Sequence, residues 1–568
     1  MARPREGDEI KRTIVRRGDK LYAYECTSRM VNGKKVSESK YVGRVDPEDM
    51  EVLPKIPEKS RENREKIAKE KEVAILEGID SGDYGAVYAM QAVQLRMDLG
   101  LDLMKAFGQS GKVIMAAAMA LAMGSGRFDE IEPIFRRTWI RRFYDLYTSV
   151  DSGTLSRMTE TIGESKANME RFFELRVRGS KGLVAWDTTT NGCHSDMDGM
   201  AEWVTENKDN ENIKQMKTAF ATDMRGIPLM YRHYPGTVSD MATIERIAGD
   251  TARFGRTDVL FALDRGFMSG SNIEHLLKMR IAFVMPTKTD SKAVKTLLTE
   301  FGKTKDKRDM VHAGHAYKVW ETEIGLKKAA SRKTVTGNEA YDLTLPGEDG
   351  HGSDGTMTAY VCFDSKKYSD EVQSRTLMIR SLKERALNID AKDPVNEFRK
   401  VAGRAEKHFD IQQDGRNVIV TEKQKSMSFA ENRAGLFVML ASPGVPWDVM
   451  MTAYDARRLT EQAFDFWKYE DRRFRTSDKF RMEGRGFIRF VELMIKCEMA
   501  AEIRESGTSG LSVSGAIASL NTIEAKSYGT STILSEITKN CREIFRIFKT
   551  EVPTSVIEKS EICDIRRL

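Results

Sequence analysis

The chain has 568 residues, 40% of them hydrophobic and 31% charged, a composition that fits a soluble globular protein and excludes a disordered or membrane-spanning one. At that length three to five domains are expected, with a large buried interior. Lys and Arg outnumber Asp and Glu by only 6 (91 against 85), so net charge does not identify a nucleic-acid partner and local distribution has to carry that argument.

Met1 to Asp19 is charged throughout, so no secretory leader is expected and the cytoplasm is the expected location. The strand candidates KLYAYECTSR and KKVSESKYVGRV follow, joined by the turn-forming Asn32-Gly33, which predicts a small β-hairpin module. Glu58 to Glu72 is nearly all charge and reads as an exposed helical linker. From about 75 to 178 the periodicity is helical. Within it Val113 to Met123 is too short for a bilayer and reads as a buried helix, so no membrane partner is expected. Arg136, Arg137, Arg141 and Arg142 interleave with Phe135, Trp139, Phe143 and Tyr144. That mixture suits DNA, or equally a basic amphipathic helix docked on its own domain. Six scattered cysteines with no CxxC pair indicate neither a zinc site nor a disulfide framework.

Lys181 to Thr190 (KGLVAWDTTT) is an apolar strand-forming run that delivers one acid, Asp187. Two further strand candidates and a helix from Asp240 to Phe254 precede the strand Asp258 to Leu263, which delivers a second acid, Asp264, into Asp-Arg-Gly-Phe. Strand and helix then alternate until about 289, where irregular strands, a helix near 367 to 389 and the loop GEDGHGSDG read as an insertion reaching 430. Arg433 to Ser442 restores a buried strand. Next, Tyr454 to Lys468 (YDARRLTEQAFDFWK) separates polar from apolar residues. Tyr454, Arg457, Glu461 and Lys468 fall at about 0°, 300°, 340° and 320° around a helix, opposite a stripe of Ala456, Leu459, Ala463, Phe466 and Trp467. Pro446 and Asp448 mark the start of that helix. A merely solvated face is the bland reading. Lys468 to Arg489 holds eight Lys or Arg against four acids, interleaved with Phe474, Phe480 and Phe487, as a phosphate-gripping track would. Beyond 506 a Ser/Gly-rich tail precedes a helix near 531 to 549, whose stripe Ile533, Ile537, Cys541, Phe545, Phe548 would bury against a second subunit or its own chain.

Asp187, Asp264 and Glu461 lie on separate elements and supply what a pair of hard cations needs: oxygen ligands, negative charge and room for water and phosphate. Singly, each acid also has a structural reading as a turn cap or an i,i+4 ion pair. The residues Tyr454-x2-Arg457-x3-Glu461-x6-Lys468, with WDTTT around Asp187, Asp264-Arg-Gly-Phe and Gly236-Thr-Val-Ser-Asp240, resemble the DDE transposases of bacterial insertion sequences in the group with a Tyr-Arg-Glu-Lys signature.

The resemblance implies an α/β, multi-domain chain whose ribonuclease H-like mixed sheet is flanked by helices and interrupted by a β-rich insertion. The corresponding parts are a β-hairpin module at 1–57, a helical DNA-end-binding domain at 58–178, the core at 179–288 and 431–505, the insertion at 289–430 and a helical tail at 506–568. It implies Asp187, Asp264 and Glu461 as catalytic ligands of two Mg2+, for which Mn2+ substitutes. Tyr454, Arg457 and Lys468 are then DNA contacts, joined by Arg265 beside Asp264 and by Arg472 and Arg473 of the basic run. Trp320, alone among the insertion's residues in being a tryptophan, is the candidate to stack on a flipped base if a DNA hairpin intermediate is used, against the plainer reading of a core residue. The implied partners are double-stranded DNA, as element ends and target, and a second copy in a paired-end homodimer; bound to DNA, the protein would be nucleoid-associated. Asp196, Asp198, Glu202, His312 and His315 read as surface or structural groups. Two other functions are open at this point: an inactive DNA-binding protein with a retained core, and a phosphohydrolase using Asp187 as nucleophile. The latter wants an acid two residues on, where Thr189 stands.

Overall fold

The computed structural model describes residues 10–18, 20–31, 34–47, 50, 52, 80–146, 151–180, 184–193, 201–203, 213–256, 259–288, 291–333, 339–345, 355–389, 391–415, 417–470, 473–474, 478–528 and 531–558. The expected linker at 58 to 72, the Asn32-Gly33 turn and most of the GEDGHGSDG loop lie outside them. Two compact units result, Met1–Asp80 with Ser527–Gly529, and Ser81–Lys526 with Thr530–Leu568.

The first unit is an antiparallel sheet of three strands, β1 (Ile10–Arg17), β2 (Lys20–Val31) and β3 (Lys34–Val45). Two of these are the expected hairpin. β1 was hidden in a run that reads as pure charge, although Thr13, Ile14 and Val15 give it strand-forming residues at its centre.

In the second unit, α1 (Ser110–Met123) is buried along almost its whole length, because a run of alanines and methionines lets neighbours approach on every side. α2 (Ser152–Glu164) follows. The core sheet begins with an antiparallel meander of β4 (Ala185–Cys193), β5 (Gln215–Thr222) and β6 (Pro228–Pro235). α3 (Asp240–Arg253), capped by Ser239, leads to the short strand β7 (Leu260–Ala262), which lies against β4. α4 (Gly270–Lys278) then returns the chain to β8 (Ala282–Pro286), parallel to β7. The meander β4–β6 forms one sheet, and the parallel pair β7–β8 opens a second, mixed sheet beside it, so strands and crossover helix give the α/β arrangement that the alternation predicts.

The insertion continues this sheet. Strands β9 (Arg308–His312), β10 (His315–Lys333) and β11 (Met357–Asp364) pair in turn and join β8 through β12 (Leu436–Ala441). Between β11 and β12, the helix α5 (Ser365–Leu387) opens a satellite module with its own core of Ile379, Leu382, Phe398, Phe409 and Val418. After β12 comes α6 (Trp447–Glu470), starting where Pro446 and Asp448 predict and packing on β4 and β7. Ala456, Ala463 and Trp467 of its apolar stripe are buried. Leu459 sits over Gly226 in the β5–β6 turn, where φ is +81° and an added Cβ would come within 2.6 Å of the Leu459 Cβ. The Thr222 and Thr460 hydroxyls meet at 2.7 Å beside it. α6 is therefore set on the sheet at a close, specific contact.

α7 (Lys479–Glu505) runs through the interior, buried on all sides from about Met482 to Ile503. Arg481 pairs with Glu160 at 3.0 Å, Arg485 lies over the Phe128 ring, and Arg489 donates to the Trp467 carbonyl at 2.9 Å. The expected basic DNA track from 468 to 489 is corrected at these three arginines, which are held in contacts inside the protein, while Lys479 is exposed. The tail is corrected too. Ile533 sits on a strand, Ser531–Leu534, and the following helix α8 (Lys539–Ile547) buries Cys541, Ile544 and Phe545 in the chain's own core, with Ile537 and Phe548 flanking it there. Residues 535 to 538, which include Ile537, belong to neither the strand nor the helix, so the five residues do not form one helical stripe. Among residues 80–146, Phe135, Trp139 and Phe143 are buried, Arg136 and Arg137 pair with Glu132 and Asp83, and Arg142 covers the Trp139 ring. No helix among the described residues is long and apolar enough to cross a membrane.

The crossing of α2 and α7 rests on two glycines. A Cβ at Gly163 would run into the Phe480 carbonyl, and one at Gly484 into that of Thr159. Gly484→Ala should therefore cost at least about 2 kcal/mol of stability as the helices are pushed apart. A urea titration of the full chain measures it; a loss within about 0.5 kcal/mol, the usual size for a surface change, would show that the crossing is not tight.

Candidate active site

Asp187 is delivered by a strand whose residues are all buried, and its side chain is only 7% exposed. A carboxylate in such a place needs a counter-charge and hydrogen bonds. Its Oδ1 accepts from the Thr188 amide at 2.8 Å, which turns Oδ2 toward α6. Asp264 follows β7 directly and caps the short helical turn Arg265–Phe267, its Oδ1 accepting from the Gly266 and Phe267 amides at 2.6 and 3.3 Å. Its Oδ2 is again left facing α6. The turn-cap reading of Asp264 and a role in a site are thus compatible, one for each oxygen.

Glu461 comes from α6 itself. The three acids meet at one atom: Arg457 Nη2 lies 3.0 Å from Glu461 Oε1, 3.5 Å from Asp187 Oδ2 and 3.8 Å from Asp264 Oδ2. The helical periodicity that places Arg457 one turn before Glu461 accounts for the shortest of these contacts. The other two exist because α6 lies across β4 and the end of β7. Arg457 is itself 15% exposed, and its Nε is buried with no hydrogen-bond partner. The guanidinium therefore neutralises part of a three-carboxylate cluster while one of its donors is unused.

The donor chemistry suits a hard divalent cation: carboxylate oxygens from three elements surround a position already held by positive charge. Among the described residues no three His, Cys, Asp or Glu side chains stand close enough to hold one ion as now arranged, with Arg457 lying between the acids. Asp187, Asp264 and Glu461 fit the group in kind and in convergence; their spacing is that of a cluster closed around an arginine.

Around this cluster is a layer that sequence reasoning did not find. Lys217 on β5, 13% exposed, donates to Asp240 Oδ1 at 2.8 Å and to the Val238 carbonyl at 2.6 Å, and Asp240 Oδ1 also accepts from the Thr188 hydroxyl at 3.1 Å. The segment Gly236–Asp240 is thereby tied to the residue next to Asp187. A lysine interrupting the otherwise apolar run MKTAFAT was the available signal. Thr237 donates to Glu202 through both amide and hydroxyl, holding the Glu202 carboxyl below its usual range.

The remaining candidates distribute as follows. Tyr454 packs at the edge of the cluster formed by Trp447, Met450 and Tyr317, one turn from Arg457. Lys468 is half-buried near the end of α6, and Arg265 is exposed beside Asp264. Arg473 lies on a two-residue strand parallel to Gly192–Cys193, while Arg472, Asp196 and Asp198 fall outside the described residues. Trp320 sits on β10 opposite Val361 and packs against the main core. His312, at the β9–β10 turn, meets Asp455 Oδ2 at 2.7 Å through Nε2, a structural role that joins the insertion to α6.

The family model described as Transposase DDE domain matches residues 178–489, more than half of the chain. No curated protein matches. Among solved structures, the chain is similar to a piggyBac transposase in a synaptic complex with hairpin DNA, determined by cryo-EM, at 9% identity over 77% of this chain and 76% of that one, with a TM-score of 0.20; a likeness at that level carries no argument.

Removing the central cation tests the cluster without any ligand. Arg457→Gln should lower stability by about 1–2 kcal/mol in metal-free buffer, a value below that for a fully buried pair because Asp264 and Glu461 are partly solvated. Arg457→Lys should recover part of it. Equal stability of Gln and Lys variants in chemical denaturation would mean that charge at this atom does not hold the acids together.

Proposed function

This chain belongs to the Transposase DDE domain family, and from that premise we propose that it cuts DNA at the ends of its own element and joins them to a target, with Asp187, Asp264 and Glu461 as the catalytic acids. The observation that supports this reading most is the convergence of those acids, from within one strand, from just past another and from a helix, on a single guanidinium nitrogen. Structural ion pairs at strand ends have no need to gather three carboxylates at one point, since the mutual repulsion has to be offset by the centre they share.

Asp187, Asp264 and Glu461 would hold the divalent ions, Mg2+ or Mn2+. When bound, such ions supply activation of the attacking water or 3′-hydroxyl and stabilisation of the leaving oxygen in an in-line displacement at phosphorus. The protein's own residues divide the remaining work. The backbone amides of Thr188, Gly266 and Phe267 fix one oxygen of each aspartate and so orient the other. Arg457, which already holds the acids through Nη2, has a planar fork suited to a phosphate oxygen as well, better than lysine would be. Tyr454 and Lys468, one turn before Arg457 and about three turns after it, extend the same face along the DNA backbone. Coordinated excision needs two ends at once, so the active species is a homodimer, assembled through a surface other than the buried α8 stripe.

Asp187→Asn, Asp264→Asn and Glu461→Gln each remove ligand charge with little change in shape. Each is expected to abolish Mg2+-dependent nicking of DNA that carries the flanks of the coding region, while retaining duplex binding in a gel shift. Each should also reduce the Mn2+-induced rise in melting temperature expected of the wild type. A variant that still nicks at the wild-type rate removes its residue from the site, and a wild-type protein that never nicks removes the function.

A further inference from the structure

The sheet β1–β3 carries ten Lys or Arg against two Glu, a net charge of +8, larger than the +6 of the whole chain. The strand register sorts these charges between the two faces, since residues directly opposite one another share a face. Arg12, Glu25 and Lys40 align on one face, with Ile14, Ala23 and Gly43, and then Arg16, Leu21 and Val45, beside them; Glu38 lies there also. That face holds both glutamates, the 3.4 Å Arg12–Glu25 pair, and the buried residues Ala23 and Val45, the latter bridged by Val52. This more packed face carries five basic residues of its own, Arg12, Arg16, Arg29, Lys34 and Lys40, so its two glutamates leave it at +3 against +5 on the other.

The opposite face has a different character. Lys11, Cys26 and Ser39 align on it, as do Thr13, Tyr24 and Tyr41, then Val15, Tyr22 and Arg44, and finally Arg17 with Lys20; Lys35 shares it further along β3. Five basic residues and no acid stand on this face. Tyr41 packs against Tyr24 and Tyr22 with ring centroids 5.6 and 6.2 Å apart, so three tyrosines form a patch at its middle. Arg17, Lys20 and Arg44 lie toward one end of the patch, Lys11 and Lys35 toward the other. All five are exposed.

We propose that this tyrosine-bearing basic face of β1–β3 is a duplex DNA-binding surface, seated in the major groove with its basic ends on the two phosphate backbones and its tyrosines over the base edges. The inference rests on the reading above only in taking DNA as the substrate; it assigns the contact to a unit that contains none of the proposed catalytic acids. Lys11 and Arg17 stand six residues apart on β1, about 20 Å, enough to straddle the roughly 12 Å width of the B-form major groove and reach the backbone on either side. Sheets are known to read DNA in this way, whereas the deep, narrow major groove of A-form RNA excludes them. Charge divided into two basic ends around an apolar and aromatic middle matches two phosphate rails around a groove floor. A generic anionic surface has no use for that division.

The test compares two full-length triple variants that lose the same charge from opposite faces. Arg17→Gln, Lys35→Gln and Arg44→Gln alter the proposed face; Arg16→Gln, Lys34→Gln and Lys40→Gln alter the packed one. Binding to a short duplex from the flank of the coding region is followed by fluorescence anisotropy across a salt series, without divalent metal. The first triple should reduce the slope of log K against log salt by about three and weaken binding at least ~tenfold at physiological salt, while the second stays near wild type. Tyr24→Leu should leave the slope unchanged and narrow the preference for that duplex over a scrambled one. Melting curves confirm that all variants fold. Equal losses in the two triples, wild-type binding by the first, or equally tight binding of duplex RNA would each overturn the proposal. Face-specific binding by a protein that never nicks DNA would sink the catalytic reading and leave this one standing; nicking without face specificity would do the reverse.

Discussion

One guanidinium nitrogen among three carboxylates sets the conditions for the rest of the catalytic unit. Asp187 is buried, and an ionised acid there is tolerable only with a counter-charge close by. Arg457 provides it, which obliges α6 to lie across β4 and the end of β7. The contacts below α6 serve that placement: the Gly226–Leu459 approach, the Thr222–Thr460 hydroxyl pair and the buried stripe that ends in Trp467. Removing any of them shifts the one helix that carries both the central cation and the third acid.

Behind this surface, α7 is buried on every side and yet is rich in charge. The charges are reconciled in pairs. Lys496 and Glu492 join at 2.8 Å, each less than a tenth exposed, and Arg225 and Arg96 reach in to Glu498 and Glu502 at 2.7 Å. Pairing of this kind adds little net stability over well-packed apolar residues. It does specify register, because a slip of the helix would leave several buried charges without partners. Arg489 connects the two helices by donating to the Trp467 carbonyl, so the register of α7 is felt at the carboxy-terminal half of α6.

The same electrostatic logic runs in reverse in the amino-terminal unit. There, both glutamates and the buried side chains are collected on one face of a three-stranded sheet, and the other face is left with five basic residues and three tyrosines. Like charges crowded on one face repel and favour an anionic partner. In the catalytic unit a cation gathers anions; in this one, the anions are collected on one face and the other is left net positive.

The order of elements from Ala185 to Pro286, the start of α6 at Pro446 and the alignment of Arg457 with Glu461 were legible in the residues, because each depends on a local period or a local cap. So was the delivery of Asp264 just past a strand; Asp187, read as the end of its strand, is instead the third of nine residues in β4. Local pattern could not show that Arg457 Nη2 would be shared by all three acids, since two of those contacts join residues separated by about 190 to 270 positions, nor that Lys217 and Asp240 would brace the residue beside Asp187. It also misplaced what depends on neighbours. The arginines of α7 have the composition of a DNA track but found partners in Glu160 and Trp467, and the apolar tail residues are divided between a strand and a helix that close on the chain's own core. β1 read only as a charged stretch because its strand character rests on three residues, and the two faces of the β1–β3 sheet existed only once the register was known. Composition and period determine which elements form; which charge meets which depends on long-range contacts that only the folded chain establishes.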